Sequence, residues 1–469
     1  MTQIPVSNPR TGEVDYSFDE PTEESLFSKV ARLRNNQEIW RRLPIAERGL
    51  VLEEFATALD RHLMPLAEAL SVDTGRWNLS IMEIDALQGI TRNRISQAKD
   101  VLAERRATAS GGGVSHLQVF VPYPVVAVIA PWNYPLILSF LDAVPALLAG
   151  CTVIIKPSEV TPRFIEVVHA ILADVPKLSQ VVEIIAGTPA TGESLIKMAD
   201  AVNFTGSIDS GRRVAACAAS LLKPAFLELG GKDPAIVLPG ANLEEAAEAI
   251  MHCAIVNTGQ ACFSIERVYV HESHAQKFID RMCSLADQVT LNFEDIRVGD
   301  IGPFISAKQA KIAEHHLADA HEKGARVLTG GHIERYGGGY WLHPTVVTNV
   351  DHSMALMTKE TFAPIVPIMV YSDEQQAVEL ANDSEYGLSA SVFGADSDVE
   401  RVGLELESGG IYCNDVDLIG SADDSAEKMS FKNSGLGGSR YGPEGLIRFT
   451  RTKSLVFQHG QPVSIRELS

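Results

Sequence analysis

Cysteine is scarce and scattered in this 469-residue chain: Cys151, Cys217, Cys253, Cys262, Cys283 and Cys413 include no CxxC pair. Such spacing builds neither a zinc site nor a disulfide framework and suits a reducing compartment, so the cytoplasm is the expected location. Met1 to Tyr16 holds no continuous apolar stretch, and no secretory signal is expected there. Basic residues are outnumbered, forty Lys+Arg against sixty Asp+Glu, a formal charge of −20 that repels phosphate backbones and anionic lipid. Nucleic acid and membrane partners are therefore not expected. No HExxH is present; His315, His316 and His321 fall on a helical stretch, where a solvated face is expected rather than a metal site. The longest apolar run, Val121 to Ile155, is broken by Pro122, Pro124, Pro131, Pro135 and Pro145. Each proline removes a backbone donor, so buried strand, turn and helix are expected there instead of a membrane span.

What the chain does have is length and apolar content. At 469 residues and 45% hydrophobic, it exceeds one core and predicts two or three domains. From Val125 onward, β-branched runs alternate with helical spacing: strand Val125 to Ala130, helix Pro135 to Gly150, strand Thr152 to Ile155, helix Arg163 to Asp174, strand Val181 to Ala186. Helix Gly192 to Met198, strand Ala201 to Phe204 and a helix after Gly206 continue the series. This is the signature of an α/β, doubly wound parallel sheet. A new series starts at Pro234, after Gly230 and Gly231, which places a junction near Gly231. Residues Met1 to Glu104 read as mostly helical, and the turn at Ser110 to Gly113 with the strand His116 to Phe120 predicts a projecting hairpin.

Four segments carry candidate chemistry. In Asn257 to Cys262 a cysteine follows a glycine turn, where a thiolate can act as nucleophile at a cleft rim; the bland reading is a buried structural thiol. Glu228 ends an apolar strand directly before Gly230 and Gly231; it is either a general base toward water or an exposed strand-end acid. Asn133, between Pro131 and Pro135, is a fixed amide able to hold an oxyanion, or one residue of a plain proline turn. Lys156 to Glu159, with Gly206 and Ser207 opening a helix, fit a ribose and a pyrophosphate; this departs from GxGxxG, and many helices start at such a pair.

In this order and spacing the segments resemble the aldehyde dehydrogenase superfamily, from Asn8-Pro9-Arg10-Thr11-Gly12 to Phe449-Thr450-Arg451. Glu228 and Cys262 stand 262 − 228 = 34 residues apart, similar to the family's base and nucleophile. The resemblance implies a Rossmann-like cofactor domain (1–103 and 123–230), a catalytic domain (231–430), and a small β oligomerisation element made of hairpin 104–122 and tail 431–469. It implies that Cys262 attacks an aldehyde, that Asn133 holds the oxyanion, and that Glu228 activates the water that hydrolyses the thioester. Lys156 and Glu159 become adenosine-ribose contacts, Ser207 a pyrophosphate contact beside Gly206, and Glu360 and Phe362 nicotinamide-side contacts. Trp132, Ser158 and Leu229 are counted with them as cofactor contacts. Glu159 favours NAD over NADP, because a carboxylate accepts from a 2′-hydroxyl and repels a 2′-phosphate. A homodimer or homotetramer is implied.

The chain departs from the family where Pro-Phe-Gly-Gly commonly precedes Lys-x-Ser-Gly: it reads Glu427-Lys428-Met429-Ser430-Phe431-Lys432-Asn433-Ser434-Gly435. Lys359 replaces a common acid. Two alternatives accompany the main reading. One is a semialdehyde dehydrogenase for carboxylate-bearing substrates, for which Arg267 follows the nucleophile too closely to be assigned. The other is a lens-type structural protein that retains the fold without catalysis.

Overall fold

The parallel sheets form where the sequence stacks β-branched residues that are apolar on both faces. In the computed structural model, which describes residues 2–110, 112–418 and 425–460, Val125–Ile129, Thr152–Lys156 and Ala201–Thr205 are buried along their whole length. A strand covered by helices on both sides has no solvent face, so its Val and Ile side chains each contribute about 1.5–3 kcal/mol through burial.

These strands belong to a six-stranded sheet. Its spatial order is Gly435–Leu436, Ala225–Glu228, Ala201–Thr205, Val125–Ile129, Thr152–Lys156, Val182–Ile184. All neighbours are parallel except the edge pair of Gly435–Leu436 with Ala225–Glu228. The chain starts at Val125–Ile129, winds outward to Val182–Ile184, then returns to the other side at Ala201–Thr205. The winding therefore reverses between Val125–Ile129 and Ala201–Thr205. Strand ends diverge at such a reversal and leave a crevice beyond their carboxyl ends. Pro131 to Asn133 and Gly206 to Ser207 follow those two ends directly.

A second, seven-stranded sheet orders Arg326–Val327, Thr345–Thr348, Ile365–Tyr371, Ile265–His271, Asp233–Val237, Ser389–Phe393 and Gly410–Cys413, parallel but for the first pair. A three-stranded antiparallel sheet joins Arg105–Thr108, Val114–Pro122 and Thr450–Gln458. Within 431–460, Gly435–Leu436 thus pairs with the strand that carries Glu228, and Thr450–Gln458 pairs with the hairpin.

One expected element differs. The helix foreseen over 135–150 is two short ones, Ile137–Phe140 and Ala143–Ala149. Pro145 has no N–H to donate to the Leu141 carbonyl, which interrupts the ladder at that turn. The break leaves Asp142, just before the second helix, buried against partners from distant segments.

Candidate active site

The nucleophile candidate sits on a contorted turn. Asn257, Thr258 and Gly259 all adopt positive φ (53°, 59° and 68°). Non-glycine residues are held in that region only where surroundings over-determine them. Here Asn257 Nδ2 donates to the carbonyls of Asn133 (3.0 Å) and Gln260 (3.0 Å), and Thr258 Oγ1 donates to Gly302 O (3.0 Å). Gly231 lies so close to the Cys262 carbonyl that a Cβ there would collide with it. The paired glycines after Glu228 are what allow the two segments to meet.

Asn133 is buried at this junction. Its Nδ2 donates to Gln260 O at 2.9 Å, which leaves its second N–H for another acceptor. Arg76 Nη2 donates to the Asn133 carbonyl at 2.7 Å and fixes its backbone. Glu360 accepts from Gly231 N at 3.1 Å, and a Cβ on Gly230 would come within 2.6 Å of both its carboxylate oxygens. Burial pushes the Glu360 carboxyl up to about 8, with Glu266 and Asp233 adding to it and the Gly231 N–H and Lys232 opposing. Phe362 meets the Trp132 ring edge-on at 5.6 Å between centroids.

One continuous cleft of about 930 Å³ runs past these groups. Trp132, Asn133, Leu229, Cys262, Glu360 and Phe362 line it, and so do Lys156, Ser158, Glu159, Gly206 and Ser207. Ser207 caps the helix Ile208–Ser220, its hydroxyl accepting from Ser210 N. A Cβ on Gly206 would fall within 2.6 Å of the Phe204 ring, so glycine at the turn that precedes the helix leaves that ring its place. Cleft size, the capped helix start and the glycine approaches all fit a dinucleotide.

Two placements add to the sequence expectation and one departs from it. The Glu228 carboxylate accepts from Ser430 Oγ at 3.0 Å and has Arg448 Nη1 4.0 Å away, partners that the sequence did not announce. The Lys156 ammonium is occupied by the carbonyls of Gly187 (2.7 Å) and Pro157 (2.9 Å) and lies 3.5 Å from Glu159, which leaves Glu159 the freer of the two toward a ribose. His316 is buried rather than solvated, whereas His315 and His321 are exposed. Its Nδ1 lies 3.1 Å from Thr361 Oγ1, and burial, with Lys232 nearby, lowers its pKa to about 4.

Sequence reasoning missed the brace behind Glu360 and Phe362. Glu266 accepts from Thr361 N and Phe362 N, each at 2.7 Å, and pairs with the buried Lys232 at 2.6 Å. The available signal was a charge within the apolar strand Ile265–His271, where an unpaired carboxylate would be untenable. Arg267, the other charge there, donates to the carbonyls of Lys232, Leu380 and Ala381 and does not line the cleft.

The sequence model of the aldehyde dehydrogenase family matches residues 1–455. The chain belongs to that family. Its relatives include a Mycolicibacterium smegmatis protein named succinate-semialdehyde dehydrogenase [NADP(+)], 32% identical over 96% of this chain and 88% of its own length. Among solved structures, aldehyde dehydrogenase PutA from Anabaena variabilis superposes with a TM-score of 0.96 at 44% identity, covering 99% of both chains. Betaine aldehyde dehydrogenase from Staphylococcus aureus, in complex with NAD+, gives 0.91 at 29% identity over 99% of this chain and 93% of its own. The protein is thus an oxidoreductase acting on aldehydes with NAD(P), in an aldehyde dehydrogenase fold of two α/β units. Among the described residues, no helix of this aldehyde dehydrogenase is long and apolar enough to cross a membrane.

Proposed function

We propose that this aldehyde dehydrogenase oxidises an aldehyde to the free carboxylic acid, with NAD as acceptor, through a thioester on Cys262. The observation that carries the reading is that Cys262 and Asn133 line the same cleft as Glu360, Phe362, Glu159 and Ser207. The Cys262 thiolate, formed by loss of its proton to solvent, bonds to the carbonyl carbon, and the oxygen, now negative, accepts from the spare Asn133 N–H and the Cys262 backbone N–H. When bound, the oxidised nicotinamide would supply the hydride acceptor. Loss of hydride from the carbon leaves the thioester. Glu228 takes a proton from water, the hydroxide adds to the acyl carbon, the C–S bond breaks, and acid and thiolate separate. Lys156, Ser158 and Glu159 hold the adenosine side, Gly206 and Ser207 the pyrophosphate, and Trp132, Leu229, Glu360 and Phe362 the nicotinamide side.

Glu159 carries the preference for NAD. An aldehyde panel with both cofactors is expected to give a higher kcat/KM with NAD, and Glu159→Ser to narrow the gap; preference for NADP in the parent enzyme would overturn this assignment. The panel also tests a second reading, favoured by the succinate-semialdehyde dehydrogenase name of the mycobacterial relatives. Short semialdehydes with a distal carboxylate would then outrun neutral aldehydes, through a recognising group other than Arg267.

We further assign residues 1–103 and 123–230 to cofactor binding, 231–430 to the catalytic domain, and hairpin 104–122 with the tail to a homodimer or homotetramer contact. Thr450–Gln458 is solvent-exposed nearly throughout, and Leu455, Val456 and Phe457 present 41%, 67% and 41% of their surface. Apolar side chains in a row on a strand mark a pairing surface. Sedimentation is expected to show a dimer or tetramer, and Val456→Asp to release monomer; a monomeric parent enzyme would sink this assignment. Six free cysteines agree with a cytoplasmic enzyme.

A further inference from the structure

Glu228 is held by one hydrogen bond and faces one buried cation, groups that nothing in the reaction itself requires. Ser430 Oγ donates to Glu228 Oε2 at 3.0 Å, and Arg448 Nη1 lies 4.0 Å from Oε1. Ser430 belongs to the Glu427-Lys428-Met429-Ser430 segment that replaces the family's Pro-Phe-Gly-Gly. Backbone pairing brings it there: Gly435 stands opposite Glu228 in the antiparallel edge pair, Leu229 N donates to Ser434 O at 2.8 Å, and Ser434 Oγ donates to Gly230 O at 2.7 Å. A Cβ on Gly435 would lie 2.6 Å from Ser430 Cβ, so glycine there makes room for the serine.

Arg448 is equally constrained. Its side chain is 1% exposed, its Nη2 is bound to Asp142 and to Asn203 Oδ1 (2.9 Å), and its guanidinium lies over Phe226 and Phe449 at 5.2 and 5.1 Å. Arg440 grips the same aspartate at 2.7 Å. A guanidinium so enclosed cannot follow a moving carboxylate, so it presents a fixed positive charge to one side of Glu228, while its Nη1 donates to the Gly438 carbonyl at 3.3 Å.

We propose that Ser430 and Arg448 form a dock for the Glu228 carboxylate, positioning residues that act in thioester hydrolysis and not in thiol attack or hydride loss. The proposal rests on the reading of Glu228 as the water-activating base. A base must sit within about 2.6–3.2 Å of the proton that it removes, and a carboxylate free to swing spends little time there. One oxygen tied to a hydroxyl and the other facing a fixed cation restrict that swing.

Ser430→Ala tests it. Stopped-flow mixing of the variant with aldehyde and NAD is expected to give a burst of about one NADH per active site at the parent acylation rate. Steady-state turnover then falls about tenfold, and acid-quenched samples carry the acyl group on Cys262 by mass. In a Glu228→Gln background the same change is expected to alter hydrolysis by less than about twofold, because the dock has lost its tenant. The burst amplitude counts folded active sites, so misfolding is not mistaken for slow hydrolysis. Parent-like turnover in Ser430→Ala, or burst and steady state falling in proportion, overturns the dock. Parent-like hydrolysis in Glu228→Gln alone instead overturns the reading of the base.

Discussion

Cys262→Ala is expected to lower aldehyde-dependent NADH formation by at least about a thousandfold while dinucleotide binding, read by fluorescence quenching, stays at the parent level. The reason is covalent: without the sulfur no thiohemiacetal forms, and hydride would have to leave an aldehyde or its hydrate unaided. Full turnover by the variant would sink the mechanism. The thiol has its own pH signature. Burial pushes Cys262 up to about 12, with Lys428 and Arg440 pulling it down and Asp233 and Glu360 pushing it up. Below that value the thiolate fraction rises about tenfold per pH unit. Iodoacetamide inactivation of the cofactor-free enzyme should therefore accelerate about tenfold per unit between pH 7 and 10. A plateau near pH 8 would show a thiol that ionises close to neutrality, contrary to its surroundings.

The second large effect is on stability. Asp142→Ala is expected to destabilise the fold by about 3–5 kcal/mol in urea unfolding, because two buried guanidiniums, Arg440 and Arg448, lose their shared counter-ion. Burial alone would push the Asp142 carboxyl up, but the two arginines and Asn203 hold it below the ordinary carboxylate range. A depressed folded value means that its stabilisation is present above the unfolded pKa, near 3.9, and is lost only as the pH falls through the lower folded one. The deficit of the variant should thus be constant from pH 6 to 8 and shrink in acid. A loss below about 1 kcal/mol would show that water or another acid compensates the arginines. Arg440 also donates to Thr205 Oγ1, so the variant disturbs the strand end that precedes Gly206 and should weaken cofactor binding as well.

The site was legible in sequence where chemistry and a local turn coincide. Cys262 after Gly259, Glu228 before Gly230 and Gly231, and Asn133 between two prolines each announce a constrained residue within a few positions. Asn133 and Cys262 do line one cleft, whereas a strand end with two following glycines does not say which partners its carboxylate meets, and Ser430 on Glu228 was not foreseen. His316 was misread because a helix with polar residues on several faces gives no clear direction, whereas its buried partner Thr361 lies 45 residues away.

By itself the sequence determined the alternation of strand and helix, through buried β-branched runs and glycine breaks, and the identity of the residues with reactive atoms. Only the tertiary structure decided which partners hold them: Ser430 on Glu228 across 202 positions, Glu266 behind Phe362 across 96, and Arg440 and Arg448 around Asp142 across 298 and 306. Local patterns encode backbone geometry, which depends on neighbours in the chain. Charge and hydrogen-bond pairing between remote segments depends on which ends of two sheets the winding brings together, and no short pattern records that.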